Sequence, residues 1–237
     1  MSGIMNLVAV NTYTPFTLVN ALLYLDAGNS SSYSGSSTAW NDLSSNTNHY
    51  TLVNSPPFTS AGAASYFSFS GTGFQYAACN SNAKFNQAYT GKTIIVAARM
   101  TAGSFSTGTY RCMFGTNSGS RNFNTYMYYT GSAYRMHYSA GGVGGFSNDL
   151  SLTTGQWAVF AVTQTTGGLV TYYHNGVAVG TNTGQTFIQY ASSGGEFVAL
   201  GDNYWYGDIG VCAVYGRAMN NSEILQQYNS VKTRYGL

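Results

Sequence analysis

The chain has 237 residues, of which 44% are hydrophobic, and it carries nine basic and seven acidic side chains for a net formal charge of +2. The hydrophobic fraction excludes wholesale disorder, and the length fits a single all-β domain. The scattered basic residues argue against binding of nucleic-acid phosphates, and no apolar run approaches the roughly 18 residues of a membrane-spanning helix.

The first third of the chain predicts an N-terminal arm followed by strands. Residues 1–17 show no clear pattern and are interpreted as the arm, so that one domain covers residues 18–237. Residues 18–25 form a mostly apolar run, which predicts a buried first strand. Residues 66–76 alternate aromatic side chains with serines around the turn residues 71–73, which predicts a hairpin.

The middle of the chain carries the clearest β pattern. Residues 92–100 are β-branched and apolar at consecutive positions, as in a central strand that is buried on both faces. Segments 124–129 and 133–138 alternate large side chains on either side of a turn at Gly131, which predicts a second hairpin. Residues 141–145 are rich in glycine and predict a loop.

The last third predicts two further hairpins. Segments 156–163 and 169–174 flank a Gly-rich turn and predict one of them. Asn175 and Gly176 begin the other, because both residue types tolerate a positive φ. Turn residues recur about every 8–12 positions along the whole chain, and this spacing is typical of a sandwich or barrel.

One helix is predicted near the end of the sequence. Asn220 and Glu223 have the spacing of a capping box, with Asn in place of the usual Ser or Thr. Apolar residues then recur at helical spacing, and Gly236 stands where a glycine commonly follows a helix. These apolar residues are Ile224, Tyr228, Val231 and Tyr235.

The cysteines and the start of the chain favour folding in a reducing compartment. Cys79, Cys112 and Cys212 lack the CxxC spacing of a zinc or redox site and are interpreted as buried thiols. One disulfide with one remaining thiol is the alternative. No Lys or Arg precedes Lys84, so a secretory leader with a basic start is not expected.

Several segments resemble laminin-G-like, concanavalin A-type jelly rolls. They are residues 22–27 (LLYLDA), 40–44 (WNDLS), 169–177 (LVTYYHNGV), 197–201 with 206–210, and 214–224. The resemblance implies an all-β fold, an antiparallel β-sandwich of the concanavalin A-like jelly-roll type with one short C-terminal helix. It leaves the function open, because lectins, glycosidases, adhesion modules and shell components share this architecture.

The segment 223–237 (EILQQYNSVKTRYGL) resembles the end of jelly-roll proteins found in phage and large-virus particles. This likeness implies a virion structural protein, such as a capsid decoration, minor capsid or fibre subunit, assembled in the host cytoplasm. Its partners would be copies of itself, other virion subunits and host glycans. A surface with few charges and many tyrosines agrees with subunit packing. The alternatives are a non-catalytic carbohydrate-binding lectin module and an unusual glycoside hydrolase.

The number and positions of the Asp and Glu residues do not indicate a catalytic site. Glycoside hydrolysis needs two of them, roughly 5–9.5 Å apart, on either side of the sugar bond. Glu223 is assigned to the helix cap, which leaves Glu196, and Asp202 and Asp208 flank an aromatic loop. Asp26, Asp202 and Asp208 offer oxygen ligands for calcium, but without calcium-loop spacing. We therefore expect no enzymatic activity, no bound metal and no cofactor.

Nucleophilic and phosphate-binding motifs are also missing from the sequence. His49, His137 and His174 are far apart, and the last two lie in alternating segments, where a surface or packed strand histidine is expected. No GxSxG motif occurs, and the glycine runs in residues 141–145 and 167–168 are not followed by Lys-Ser or Lys-Thr.

One loop has the composition of a sugar-binding site. Asp202, Asn203, Tyr204, Trp205 and Tyr206 combine aromatic rings, which stack on sugar rings, with side chains that hydrogen-bond hydroxyl groups. These five residues are the predicted carbohydrate-binding site. The alternative is that Trp205 packs at a corner of the sandwich or in a subunit contact.

Overall fold

The alternating segments form two antiparallel sheets. The computed structural model describes residues 16–70, 75–79, 89–101, 106–116, 123–140, 143–187, 198–200 and 205–237. In spatial order, sheet A contains β14 (Val177–Asn182), β13 (Val170–His174), β12 (Trp157–Thr165), β7 (Gly91–Met100), β16 (Tyr206–Tyr215), β5 (Tyr66–Ser70) and β4 (Phe58–Thr59). Strand β1 (Ala21–Asp26) pairs with the second half of β16 in the same sheet.

Sheet B is the other layer of the sandwich. In spatial order it contains β11 (Val143–Phe146), β10 (Tyr134–Ala140), β9 (Phe123–Tyr129), β8 (Tyr110–Thr116), β15 (Val198–Leu200), β6 (Tyr76–Cys79), β3 (Tyr50–Val53) and β2 (Ala39–Trp40). The predicted fold class, an antiparallel β-sandwich with one short C-terminal helix, is confirmed.

The main hydrophobic core lies between the two sheets. Val96 and Phe160 of sheet A belong to the same buried cluster as Met127, Met136 and Tyr138 of sheet B. Successive strand residues point to opposite faces, so every second residue of these strands enters this core. The residues between them lie on the outer faces of the sheets.

A second core covers the outer face of sheet A. Ile95 of β7 and Tyr24 of β1 pack there with Ile224 and Val231 of helix α1 (Asn221–Val231). The helix begins with the predicted capping box, in which Asn220 and Glu223 each bond the other's backbone N–H. A 3₁₀ turn (Lys232–Tyr235) follows and ends at Gly236, where φ is 69°. Among the described residues, no helix has the length and apolar character needed to cross a membrane.

Several predicted elements are confirmed. Strand β7 lies centrally, between β12 and β16. The pairs β9–β10, β12–β13 and β13–β14 are hairpins, and the last turns through Asn175 and Gly176, with φ of 50° and 80°. The three cysteines are buried thiols.

Two predicted elements are wrong. Residues 66–76 do not form a hairpin, because β5 lies in sheet A beside β16 whereas β6 lies in sheet B beside β3. Alternation places Phe67 and Phe69 in the core but does not say which strand pairs with β5. Residues 143–145, interpreted as loop, belong to strand β11, which pairs with β10; residues 141–142 lie outside the described residues.

The interpretation of residues 1–17 as an arm stays a prediction, because residues 1–15 lie outside the described part. Phe16 is buried, with its ring 5.8 Å from that of Tyr24. The backbone N–H of Thr17 donates to Gln227 of helix α1. These two residues therefore pack on the sandwich.

Candidate functional site

A row of aromatic side chains crosses the outer face of sheet B. Met127 and Tyr138 face the main core, so their neighbours Tyr126 and His137 face away from it. The register pairs Tyr126 with His137 and His137 with Phe146, which places these three side chains side by side on β9, β10 and β11.

A second row extends the aromatic surface onto β8. Tyr110 pairs with Tyr128, two residues from Tyr126, so both rings lie on the same outer face. Ring centroids of Tyr110 lie 4.6 Å from Tyr128 and 5.2 Å from His137, and Phe146 lies 4.5 Å from His137. We call Tyr110, Tyr126, Tyr128, His137 and Phe146 the outer-face cluster. Tyr110 is its most open member, with 41% of its surface exposed.

The outer-face cluster is uncharged at neutral pH. Burial among the rings lowers the pKa of His137 to about 4, so its imidazole is neutral at pH 7. Polar groups border the cluster: Asn124 and Ser139 continue the same face on one side, and the ion pair of Arg135 with Asp149 lies on the other. This surface can stack on an apolar ring face while its border hydrogen-bonds to hydroxyl groups.

Sequence reasoning missed this cluster. The alternation of Tyr126 and Tyr128 is visible in the sequence, and His137 was expected to be a surface or packed strand residue. Their proximity to Tyr110 and Phe146 depends on the register of four adjacent strands. Aromatic residues at every second position of consecutive predicted strands are the signal that would have drawn attention to it.

The predicted sugar-binding loop is described only in part. Asp202, Asn203 and Tyr204 lie outside the described residues. Trp205 is fully buried in the main core, so its indole offers no open face to a sugar. Tyr206 is half-buried, with the guanidinium of Arg111 5.0 Å from its ring centroid. Carbohydrate binding by this loop stays a prediction.

Two of the carboxylates considered for catalysis or calcium are held by arginines. Arg234 donates two hydrogen bonds to Asp26, at 2.7 and 2.8 Å, and the hydroxyl of Tyr24 donates a third. Asp208 is paired with Arg99 at 2.6 Å and also accepts from the hydroxyl of Ser68. A guanidinium therefore neutralises each carboxylate at the position where a calcium ion would have to bind.

The other described carboxylates are also engaged. Asp42 accepts from the backbone N–H groups of Tyr24, Ser44 and Asn48. Glu223 caps helix α1 and pairs with Arg217, and these contacts lower the pKa of its carboxyl. Glu196 lies outside the described residues. Within the described part of the chain, no group of three or more His, Cys, Asp or Glu side chains could hold a metal ion.

Known structures share this architecture. Domain 4 of AbnA, a GH43 extracellular arabinanase from Geobacillus stearothermophilus solved with arabinotriose, is 14% identical with a TM-score of 0.65, covering 88% of this chain and 98% of that domain. The receptor-binding domain of botulinum neurotoxin D is 11% identical with a TM-score of 0.68, covering 90% of this chain and 53% of that domain. The binding domain of Paraclostridial Mosquitocidal Protein 1 is 14% identical with a TM-score of 0.65, covering 90% of this chain and 52% of that domain.

The chain thus spans about half the length of the two toxin binding domains. A search of curated proteins gave no match. The family model described as the concanavalin A-like lectin/glucanases superfamily matches residues 71–225, which is more than half of the sequence and includes the four strands of the outer-face cluster. The chain belongs to this superfamily.

Proposed function

We propose that the protein is a non-catalytic carbohydrate-binding module that holds its glycan on the outer-face cluster. The observation that carries the proposal is the cluster itself: five rings on four adjacent strands, uncharged and bordered by polar side chains. Sugar rings have one apolar face and a rim of hydroxyl groups, so this arrangement matches them on both counts. The engaged carboxylates Asp26, Asp42 and Asp208 support a binding role over a hydrolytic one.

The arabinanase domain solved with arabinotriose suggests the first probe. Arabinotriose and a glycan array should be tested against the wild type and three variants. Tyr110→Ala removes the most exposed ring of the cluster and should weaken binding about tenfold, equivalent to about 1.4 kcal/mol. Tyr110→Phe keeps the ring and should retain most of the affinity. Tyr228→Ala removes a ring on helix α1, outside the cluster, that packs against the second core; the folded variant is the control and should bind as the wild type does.

Two results would count against the proposal. One is the absence of binding to any glycan on the array. The other is unchanged affinity of a folded Tyr110→Ala protein for the glycan that the wild type binds. In the second case the predicted loop 202–206 becomes the next location to test. Tyr206→Ala is the suitable variant there, because Trp205 is part of the core and its removal would destabilise the fold.

We propose as a second candidate a structural subunit of a virion that also contacts host glycans, on the basis of the resemblance of residues 223–237 to the ends of virion jelly-roll proteins; the composition agrees with subunit packing. Only 7% of the residues are charged, and 21 are tyrosines, which supply contact area at low entropic cost. A surface with so few charges produces little electrostatic repulsion between copies of the protein, so it permits self-association. Gradient sedimentation of lysate from the native source tests this proposal. Migration with large particles at fixed stoichiometry supports it, and a monomer of 25.3 kDa at the top of the gradient contradicts it.

A further inference from the structure

A cavity of about 380 Å³ lies away from the outer-face cluster. It is found where β7 ends, β12 begins and β13 turns into β14, and the loop before β12 and the residues after the 3₁₀ turn close it. Its volume falls within the range of about 300–1,000 Å³ that is common for small-molecule sites. It shares no lining residue with the outer-face cluster.

Two pairs of aromatic rings line this cavity. Trp157 and Tyr235 have ring centroids 4.3 Å apart, and Phe160 and His174 are stacked at 5.7 Å. The rings come from β12, β13 and the 3₁₀ turn, which are held together by the sheet and by the second core. The aromatic walls are therefore built on rigid elements.

The polar side chains of the cavity are neutral hydrogen-bonding groups. Burial lowers the pKa of His174, and its imidazole makes no hydrogen bond to the described part of the chain. A neutral imidazole both donates and accepts. Gln156 and Asn175 also line the cavity, and the Oδ1 atom of Asn175 already accepts from the backbone N–H of Val159, at 2.8 Å. None of the described lining side chains is a Lys, Arg, Asp or Glu.

We propose that this cavity is a second ligand site, which takes one uncharged sugar ring. A charged ligand would lose its hydration without meeting an oppositely charged side chain, and a purely apolar ligand would leave His174 without a hydrogen-bond partner. A sugar ring offers an apolar face to the half-buried rings of Trp157 and His174 and hydroxyl groups to the imidazole nitrogens and Gln156. The proposal goes beyond the outer-face cluster and does not depend on it.

The three histidines of the chain allow both sites to be tested in one experiment. His174 lines the cavity, His137 lies in the outer-face cluster, and His49 is exposed elsewhere. NMR spectra of the imidazole C–H groups are recorded while L-arabinose, D-galactose or N-acetyl-D-glucosamine is added to millimolar concentration. At least one sugar should shift the His174 signal in a saturable way and leave that of His49 unchanged.

A blocking variant links the shift to the cavity. Thr153 is exposed on the cavity rim, so Thr153→Trp should fill the entrance and abolish the His174 shift without lowering the melting temperature. Ser31→Trp places the same side chain on an exposed loop elsewhere and should leave the shift intact. A His174 shift that persists in folded Thr153→Trp protein contradicts the proposal.

The remaining outcomes separate this site from the proposed function. A shift of His137 alone supports the outer-face cluster and rules out the cavity as a sugar site. A shift of His174 alone supports the cavity only. If neither signal moves with any of the three sugars, the cavity proposal is overturned, and the outer-face cluster is then decided by the glycan array.

Discussion

Asp26 and Arg234 form an ion pair that is almost completely removed from water. The side chains are 2% and 5% exposed, and Tyr24 and the backbone N–H of Gly28 complete the hydrogen bonds of the carboxylate. Burial disfavours the charged guanidinium, but its contacts with Asp26 outweigh this and raise the pKa of Arg234. Removing one partner of such a pair leaves an uncompensated buried charge.

We predict that Arg234→Met lowers the free energy of unfolding by about 3–5 kcal/mol, because Asp26 then stays buried without its counter-ion. Urea denaturation of the two proteins measures the difference. Arg135→Met breaks the pair with Asp149, whose side chains are 40% and 56% exposed, and should change stability little because water screens it. Equal losses in the two variants would show that burial of the pair does not matter.

Lys92 is a second buried basic side chain, and it faces the interior of the sandwich. Its neighbour Ile94, two positions along β7, belongs to the main core, and the Lys92 ammonium lies 5.2 Å from the ring centroid of Phe187. Burial lowers the pKa of Lys92 from 10.5 to about 7. Between these two pH values the unfolded chain holds a proton that the native protein has lost, so this residue makes stability rise with pH.

We predict that Lys92→Met is more stable than the wild type at pH 7 and that this advantage shrinks towards pH 9. The decrease should be about 1 kcal/mol per pH unit, since one proton is involved. Denaturation curves of both proteins at pH 7, 8 and 9 measure it, and the titration of other groups cancels in the difference. Parallel pH profiles would contradict the lowered pKa.

Among the elements, helix α1 begins at a position that is determined by the local sequence. The Oδ1 atom of Asn220 accepts from the backbone N–H of Glu223 at 3.0 Å, and the Glu223 carboxylate accepts from the backbone N–H of Asn220 at 2.9 Å. Both contacts lie within four residues, which is why the sequence alone predicted them. The helix in turn covers the outer face of sheet A, so its start also supports the second core.

We predict that Asn220→Ala destabilises the protein by about 1 kcal/mol, because the first turn of the helix loses its cap. Thermal and urea denaturation give the value. Asn229→Ala is the matched control at an exposed position inside the helix, where alanine has the higher helix propensity. It should leave stability unchanged or raise it slightly, and a loss equal to that of Asn220→Ala would argue against the capping role.

Strand pairing follows different rules from capping, and prediction succeeded only where pairing is local. The β9–β10 and β13–β14 hairpins close through short turns, so their turn residues and alternation identify both strands. The failed hairpin at residues 66–76 joins strands in different sheets. A turn-like sequence cannot show whether the chain reverses within a sheet or crosses to the other layer.

At the scale of the whole molecule, the sandwich could be predicted but the candidate sites could not. The period-two pattern and the family resemblance both indicated two packed antiparallel sheets. The outer-face cluster needs the register of four strands, and the cavity joins residues as far apart as Met100 and Leu237. Trp205 shows the same limit: its neighbours in sequence, Tyr204 and Tyr206, form an aromatic segment that fits either a binding loop or a packed corner, whereas its neighbours in space are the core.

The Asp26–Arg234 pair also bears on the order in which the molecule is made. Strand β1 pairs with β16, and Asp26 receives its counter-ion from residue 234, which is synthesised 208 positions later. At about 5–20 residues per second, a ribosome needs roughly 10 to 40 seconds to cover that distance. During this time the apolar strand β1 has neither its neighbouring strand nor its buried cation. Strand β1 is synthesised early, but it can pair only after β16 has been made. Until then the nascent chain exposes an apolar segment that chaperones would shield.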